Sequence, residues 1–182
     1  ATLASGATVV PIDYQLKIDE MKNLLKASDA KVFFIDEEKY DEFAPEKTGL
    51  IARFSLSKQK PGYIYDLKTD KTFTAEPTGE NDLAAILFTS GTTGNPKGVM
   101  LTHKNFASDC FLAQSNLNIM ETDIFYALLP IHHSYTMLAV FIEAISVGAE
   151  LVFGKRMVTK QILKDLKEAK ITMFLGVPLL FN

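Results

Sequence analysis

A single cysteine, Cys110, stands in 182 residues, so no internal disulfide framework exists and the chain fits a reducing, cytoplasmic setting. No basic stripe with interleaved aromatics runs through the sequence, which argues against a nucleic-acid partner. Net charge is only −3, with acidic and basic residues interspersed. Long apolar runs are also missing. The longest, Met137 to Phe153, is broken by Glu143, Gly148 and Glu150 and reads as a helix followed by a strand. No transmembrane segment is therefore expected, and any membrane contact would be peripheral. The N-terminal ATLASGATVVP has neither the charged leader nor the apolar core of a targeting segment. It also lacks an initiating methionine, and the closing GVPLLFN reads as an element cut short. Domain boundaries fall in polar linkers, so a piece of a longer protein is the expectation. What remains is ordinary for a globular domain with a core: 47% hydrophobic and 23% charged residues.

The informative stretch is Leu83 to His103, LAAILFTSGTTGNPKGVMLTH. An apolar run, Leu83 to Phe88, gives way to hydroxyls and glycines from Thr89 to Gly98, then to a second apolar run, Val99 to Leu101. That order predicts strand, tight loop, strand. The loop has the chemistry of a phosphate cradle. Gly91, Gly94 and Gly98 permit close backbone approach, and successive amides of such a turn can converge on an anion. Thr89, Ser90, Thr92 and Thr93 supply hydroxyl donors, and Pro96 stiffens the exit. Lys97 supplies a mobile cation, which at about 4 Å from a phosphate would gain roughly 4 kcal/mol at an effective dielectric near 20. The common P-loop differs: its lysine follows glycine and opens a helix, whereas Lys97 precedes Gly98 and leads into a strand. The cradle would then rest on amides, hydroxyls and Lys97 rather than on a helix dipole.

Around this stretch the pattern predicts an α/β chain. Strands are expected at 6–11, 31–35 (buried), 50–56, 62–67, 123–131 (buried), 150–153 and 171–175. Ile18, Met21, Leu24 and Leu25 mark a helix over 18–27. A charged helix over 36–43 is expected to be closed by Pro45, and 68–82 to be an exposed linker. Thr102 is the expected N-cap of a helix whose apolar side is Phe106, Cys110, Phe111 and Leu117, with Cys110 as core and His103 as a capping or surface residue. Helices are also expected at 135–147, apolar nearly all round, and at 160–169. One internal echo stands out: GATVV, a helix and KVFF near the start, and GAELV, a helix and KITMF near the end. Two related right-handed βαβ units would explain it, as would the ordinary rhythm of an α/β chain.

The second constellation is LLPIHHSYTM, Leu128 to Met137. His132 and His133 are expected at a strand end with side chains on opposite faces, and no partner lies nearby at ligand spacing, so no metal site is assigned.

FTSGTTGNPKGV is similar to the signature of the adenylate-forming superfamily, which includes acyl-CoA synthetases, adenylation domains of peptide synthetases and beetle luciferases. LASGATVVPID near the start resembles a second superfamily motif. The resemblance implies part of the large N-terminal α/β domain, with two subdomains of mainly parallel sheet flanked by helices. Here those would be about 1–80, including the linker, and 81–182 with the loop. It implies ATP plus a carboxylate giving acyl-adenylate and pyrophosphate, then a thioester with CoA, with Mg2+ accompanying the triphosphate. Thr89, Ser90, Gly91, Thr92, Thr93, Gly94 and Lys97 would hold the phosphates, with Lys97 neutralising charge. His133 matches the family position between carboxylate pocket and nucleotide, and Tyr135 would extend the pocket wall. The ending KEAKITMFLGVPLLFN is similar to synthetases for medium or longer fatty acids. An aryl or amino acid activator and a non-catalytic nucleotide-binding module are the alternatives. The family's adenine-site, Mg2+-ligating, ribose-binding, hinge and C-terminal lysine motifs do not occur in these residues. The 182-residue chain alone is thus expected not to adenylate, and its uncovered apolar surface is expected to favour homo-association.

Overall fold

The computed structural model describes residues 1–68, 72–89, 96–155 and 157–178. It divides into two compact units, Ala1–Pro77 with Phe88–Val99, and Thr78–Leu87 with Met100–Asn182.

The first unit is organised by helix α1 (Ile18–Ala27) and the parallel strands β1 (Val32–Ile35) and β2 (Ala52–Ser55), paired from Val32 with Ala52 to Ile35 with Ser55. α1 forms where the apolar spacing demands. Its entry is fixed by the Lys17 amide donating to Glu20 Oε2 at 2.8 Å, and Asp19 and Glu20 suit the positive end of the helix. Met21 and Leu25 pack with Ile35, Tyr40, Phe43 and Leu50 into one core. Burying six such side chains contributes roughly 1.5–3 kcal/mol each before chain entropy is charged against it. The 36–43 segment is a 3-10 helix, Glu37–Phe43. Pro45 does not close it; it opens a short helix α2 (Pro45–Thr48) from the first-turn position, where its missing N–H costs nothing.

Several expected strands shrink. At 6–11 only Val9 bridges, and at 62–67 Tyr63 makes one bridge to Ser55 before a 3-10 turn, Ile64–Asp66. β1 is not buried along its length: Phe34 is 47% exposed and stacks on Phe54 at 5.4 Å, so one face of this two-stranded sheet is open. Residues 72–79 carry no regular element, as expected of a linker.

In the second unit β5 (Ile124–Ala127) and β6 (Glu150–Phe153) pair in parallel, and Met173 bridges to Phe125 where a full strand was expected. Phe125, Ala127, Val140 and Ala144 form its core. Helix α3 (His103–Asn116) buries Phe106 and Cys110 but leaves Phe111 70% exposed, and Leu117 is exposed as well, so its apolar side is narrower than expected. The 135–147 region is α4 (Ser134–Thr136), a π segment Met137–Ile142, and α5 (Glu143–Val147). It is not apolar-buried all round: Thr136, Met137, Val140 and Ala144 face inward while Tyr135 and Ile145 are exposed. Helix α6 (Thr159–Glu168) follows β6.

The sequence echo has a structural counterpart. Gly6 and Gly148 both end a helix in the left-handed region, φ 73° and 76°, each followed by a paired backbone bond from the next alanine. Asp29 and Lys170 end α1 and α6 with the same φ of 52°, and Ala30 and Ile171 donate back five residues in the same way. Both pairs are Schellman caps.

Candidate active site

Strand β3 (Leu83–Thr89) buries Ala84, Ala85 and Leu87 and ends at exposed Thr89. Strand β4 (Lys97–Thr102) pairs with it. The two strands of the strand–loop–strand reading are present, and they reach further than expected into Thr89 to Gly98. Thr89 closes β3, and Lys97 and Gly98 already belong to β4. Thr89 Oγ1 lies 3.5 Å from the Lys97 carbonyl oxygen and donates to it across the loop mouth. Ser90, Gly91, Thr92, Thr93 and Gly94 lie outside the described residues. Thr89 and Lys97 are both exposed, and Lys97 has no ion-pair partner among the described residues. An exposed cation held on a strand, with no ion-pair partner among the described residues, is available to an anion.

The start of α3 is capped from within the chain. Asn105 N donates to Thr102 Oγ1 at 3.2 Å, and Thr102 N donates to Asn105 Oδ1 at 2.9 Å. His103 N donates to Asp82 O and Lys104 N to Glu80 O, while Lys104 Nζ pairs with Glu80 at 3.0 Å. The first amides of this helix are thus occupied, and its N-terminus has no free donors for an anion. Thr102 as N-cap and His103 as first helical residue follow the sequence pattern. A groove of about 700 Å3 beside α3, lined by Glu80, His103, Lys104, Ala107 and Phe111, was not legible in the sequence, because it depends on where 78–80 folds back.

β5 stops at Ala127, four residues earlier than expected, and Leu128–His133 turns instead. Pro130 offers no ladder donor there. His132 and His133 consequently do not point to opposite faces of a strand. Their rings lie side by side, 4.2 Å apart and inclined at 50°. His133 is the N-cap residue of α4, its carbonyl accepting from Met137 N at 2.9 Å, and its side chain is exposed. Tyr135 is 47% exposed. Among the described residues no three His, Cys, Asp or Glu side chains gather at a metal-binding spacing, so nothing here is assigned to hold Mg2+.

Two further residues behave differently from each other. Cys110 is buried and its thiol is pushed up to about 11, first by burial and then by a hydrogen bond with Glu143, so it is core and not a nucleophile. Glu143 is 1% exposed with Oε1 unpartnered among the described residues. In the sequence it reads only as an interruption of an apolar run.

The parallel strand pairs flanked by helices, and the glycine- and hydroxyl-rich sequence joining β3 to β4, point to an adenylate-forming type of α/β domain. The AMP-binding enzyme family model matches residues 1–182, and the chain belongs to that family. It is 40% identical over 111 residues to long-chain-fatty-acid–CoA ligase 1 of Cavia porcellus, covering 59% of this chain and 16% of that protein. It is 24% identical over 178 residues to a feruloyl-CoA synthase of Amycolatopsis, covering 98% of this chain and 35% of the relative. Among solved structures, ATP-bound MatB of Rhodopseudomonas palustris superposes with a TM-score of 0.88 at 27% identity, over 99% of this chain and 36% of that one. The chain thus spans roughly a third or less of each of these relatives, and its architecture is that of part of their α/β N-terminal domain.

Proposed function

We propose that the intact protein activates a carboxylic acid with ATP and passes the acyl group to CoA. The observation that carries this is the sequence FTSGTTGNPKGV joining β3 to β4, with Thr89 and Lys97 exposed at the two strand ends and Lys97 without an ion pair among the described residues, in a chain matched by the AMP-binding family along its whole length. In the proposed reaction a carboxylate oxygen attacks the α-phosphorus, the bond to pyrophosphate breaks, and acyl-adenylate forms. The CoA thiol then attacks the acyl carbon and AMP leaves. The acid is already ionised near neutral pH, so no general base is needed. The protein's contribution is alignment and charge neutralisation. Lys97 would neutralise phosphate charge, and the hydroxyls and amides of Thr89 to Gly94 would hold the phosphates. Mg2+ would enter with the triphosphate. His133 and Tyr135, exposed at the start of α4, would border the acyl group. Of the two proposed parts, about 1–80 and 81–182, the second would carry the phosphate loop and one pocket wall.

The acid we favour is a medium or long-chain fatty acid. The 40% identity to a long-chain ligase and the ending KEAKITMFLGVPLLFN support it. Similarity to a feruloyl-CoA synthase along nearly the whole chain keeps an aryl acid as the second reading. CoA-thioester formation by the intact protein, assayed with fatty, aryl and amino acids, separates them. Preference for fatty acids is expected; preference for an aryl or amino acid overturns the substrate assignment while keeping the reaction.

A further inference from the structure

Six basic and two acidic side chains fall between positions 155 and 170, in a chain whose net charge is −3. Along the sequence they look interspersed, but α6 sorts them. Gln161, Ile162, Asp165 and Leu166 are half-buried on one side. Lys160, Lys164 and Lys167, spaced by four and then three, share the opposite side and are exposed, flanked by exposed Lys155 and Lys170. The acidic residues offset them little. Asp165 accepts from Tyr126 at 2.7 Å and from Gln161 at 2.6 Å, and Glu168 reaches Lys164 only at 3.9 Å, with both side chains more than half exposed. Among the lysines stand uncovered apolar side chains: Leu163 is 62% exposed, and Met157 and Val158 are exposed beside the helix start.

We propose that this face docks on an anionic phospholipid bilayer, with Leu163, Met157 and Val158 entering the headgroup layer and Lys160, Lys164 and Lys167 meeting lipid phosphates. Exposed apolar groups set between cations suit a surface that is anionic at its rim and apolar beneath. Lysine stems are long enough to let apolar neighbours sink while the ammonium groups stay among the headgroups. Charge complementarity selects an anionic surface, and in an otherwise acidic chain this side orients the approach. Among the described residues no helix is long and apolar enough to cross a membrane, and α6 would lie along the bilayer surface. The proposal stands on the geometry of α6 and does not depend on which acid the protein activates.

The test is flotation of the intact protein with vesicles of phosphatidylcholine alone or with about one-third phosphatidylserine. Binding to the anionic vesicles is expected, weakened by salt. The triple variant K160Q/K164Q/K167Q should lose about fivefold per lysine, roughly a hundredfold in all, with an unchanged circular dichroism spectrum. Leu163→Ser should weaken vesicle binding severalfold and leave binding to soluble polyglutamate unchanged. No association with anionic vesicles, or association equal in the triple variant, overturns the proposal. Binding to polyglutamate without binding to vesicles also overturns it and assigns the face to an acidic protein.

Discussion

The Tyr126 hydroxyl donates to Asp165 Oδ2 at 2.7 Å, tying the buried centre of β5 to α6. The contact needs Gly154. A Cβ there would lie 2.7 Å from Tyr126 Oη and 2.8 Å from Leu128 Cδ1. Gly154→Ala is expected to destabilise the protein by about 1–3 kcal/mol, because buried Tyr126 has nowhere to move. Tyr126→Phe should cost less, about 1 kcal/mol. Denaturant titration of both variants checks the order; an unperturbed Gly154→Ala would mean the strand is not packed as described.

The same pair sets a pH response. Hydrogen bonds from Tyr126 and Gln161 hold Asp165 below the usual 3.8, and those from Thr172 and the Met120 amide do so for Asp123. A lowered folded-state value contributes stability above the unfolded value, and that stability disappears as pH falls through the folded one. Tyr126, pushed up from 10.0 to about 12 by burial and by Asp165, contributes below the unfolded value and is lost as pH rises through that interval. Stability should therefore fall below about 3.8 and above about 10. Asp165→Asn should flatten the acid limb in denaturant titrations across pH, and an unchanged limb would contradict the assignment.

Asp29 and Lys170, both at φ 52°, occupy left-handed cap positions that suit glycine. Asp29→Gly and Lys170→Gly are each expected to stabilise by about 0.5–1 kcal/mol, read as a rise in thermal midpoint. A fall in both would mean that the caps are not strained.

Glu143 holds an unpartnered buried oxygen. Glu143→Met, of similar volume, should be close to neutral: it loses the hydrogen bond with the Cys110 thiol, but no described interaction of Oε1 goes with it. A loss of more than about 2 kcal/mol would show that Oε1 has a partner as well.

What the sequence revealed of this fold depended on whether local signals were enough. Helix α1 is marked by Ile18, Met21, Leu24 and Leu25 on one face, and the helix lies where they put it. Strands β3 and β4 were legible because the apolar runs and the turn chemistry agree. Strands expected around Tyr63 and Met173 became single bridges, because an apolar run sets a tendency while ladder length depends on a distant partner. The same limit explains β5 ending at Ala127, and so the side-by-side histidines. The phosphate role proposed for Lys97 rests on its sequence neighbours, whereas its place on a strand required the pairing with β3.

Lys97 carries a direct functional prediction. Lys97→Ala in the intact protein should weaken triphosphate binding by roughly 1–3 kcal/mol, about 5- to 150-fold, without lowering the thermal midpoint, because Lys97 makes no ion pair among the described residues. Calorimetric titration with ATP tests it, and unchanged affinity would leave the turn as ordinary structure.

The central claim, carboxylate activation through this turn, is tested most directly by ATP–pyrophosphate exchange in the intact protein. Label should enter ATP only when an acid is supplied, most strongly with a fatty acid, and the exchange should fall sharply in Lys97→Ala. Exchange absent with every acid in a protein that binds ATP would contradict the claim and make the chain part of a nucleotide-binding module without acyl chemistry.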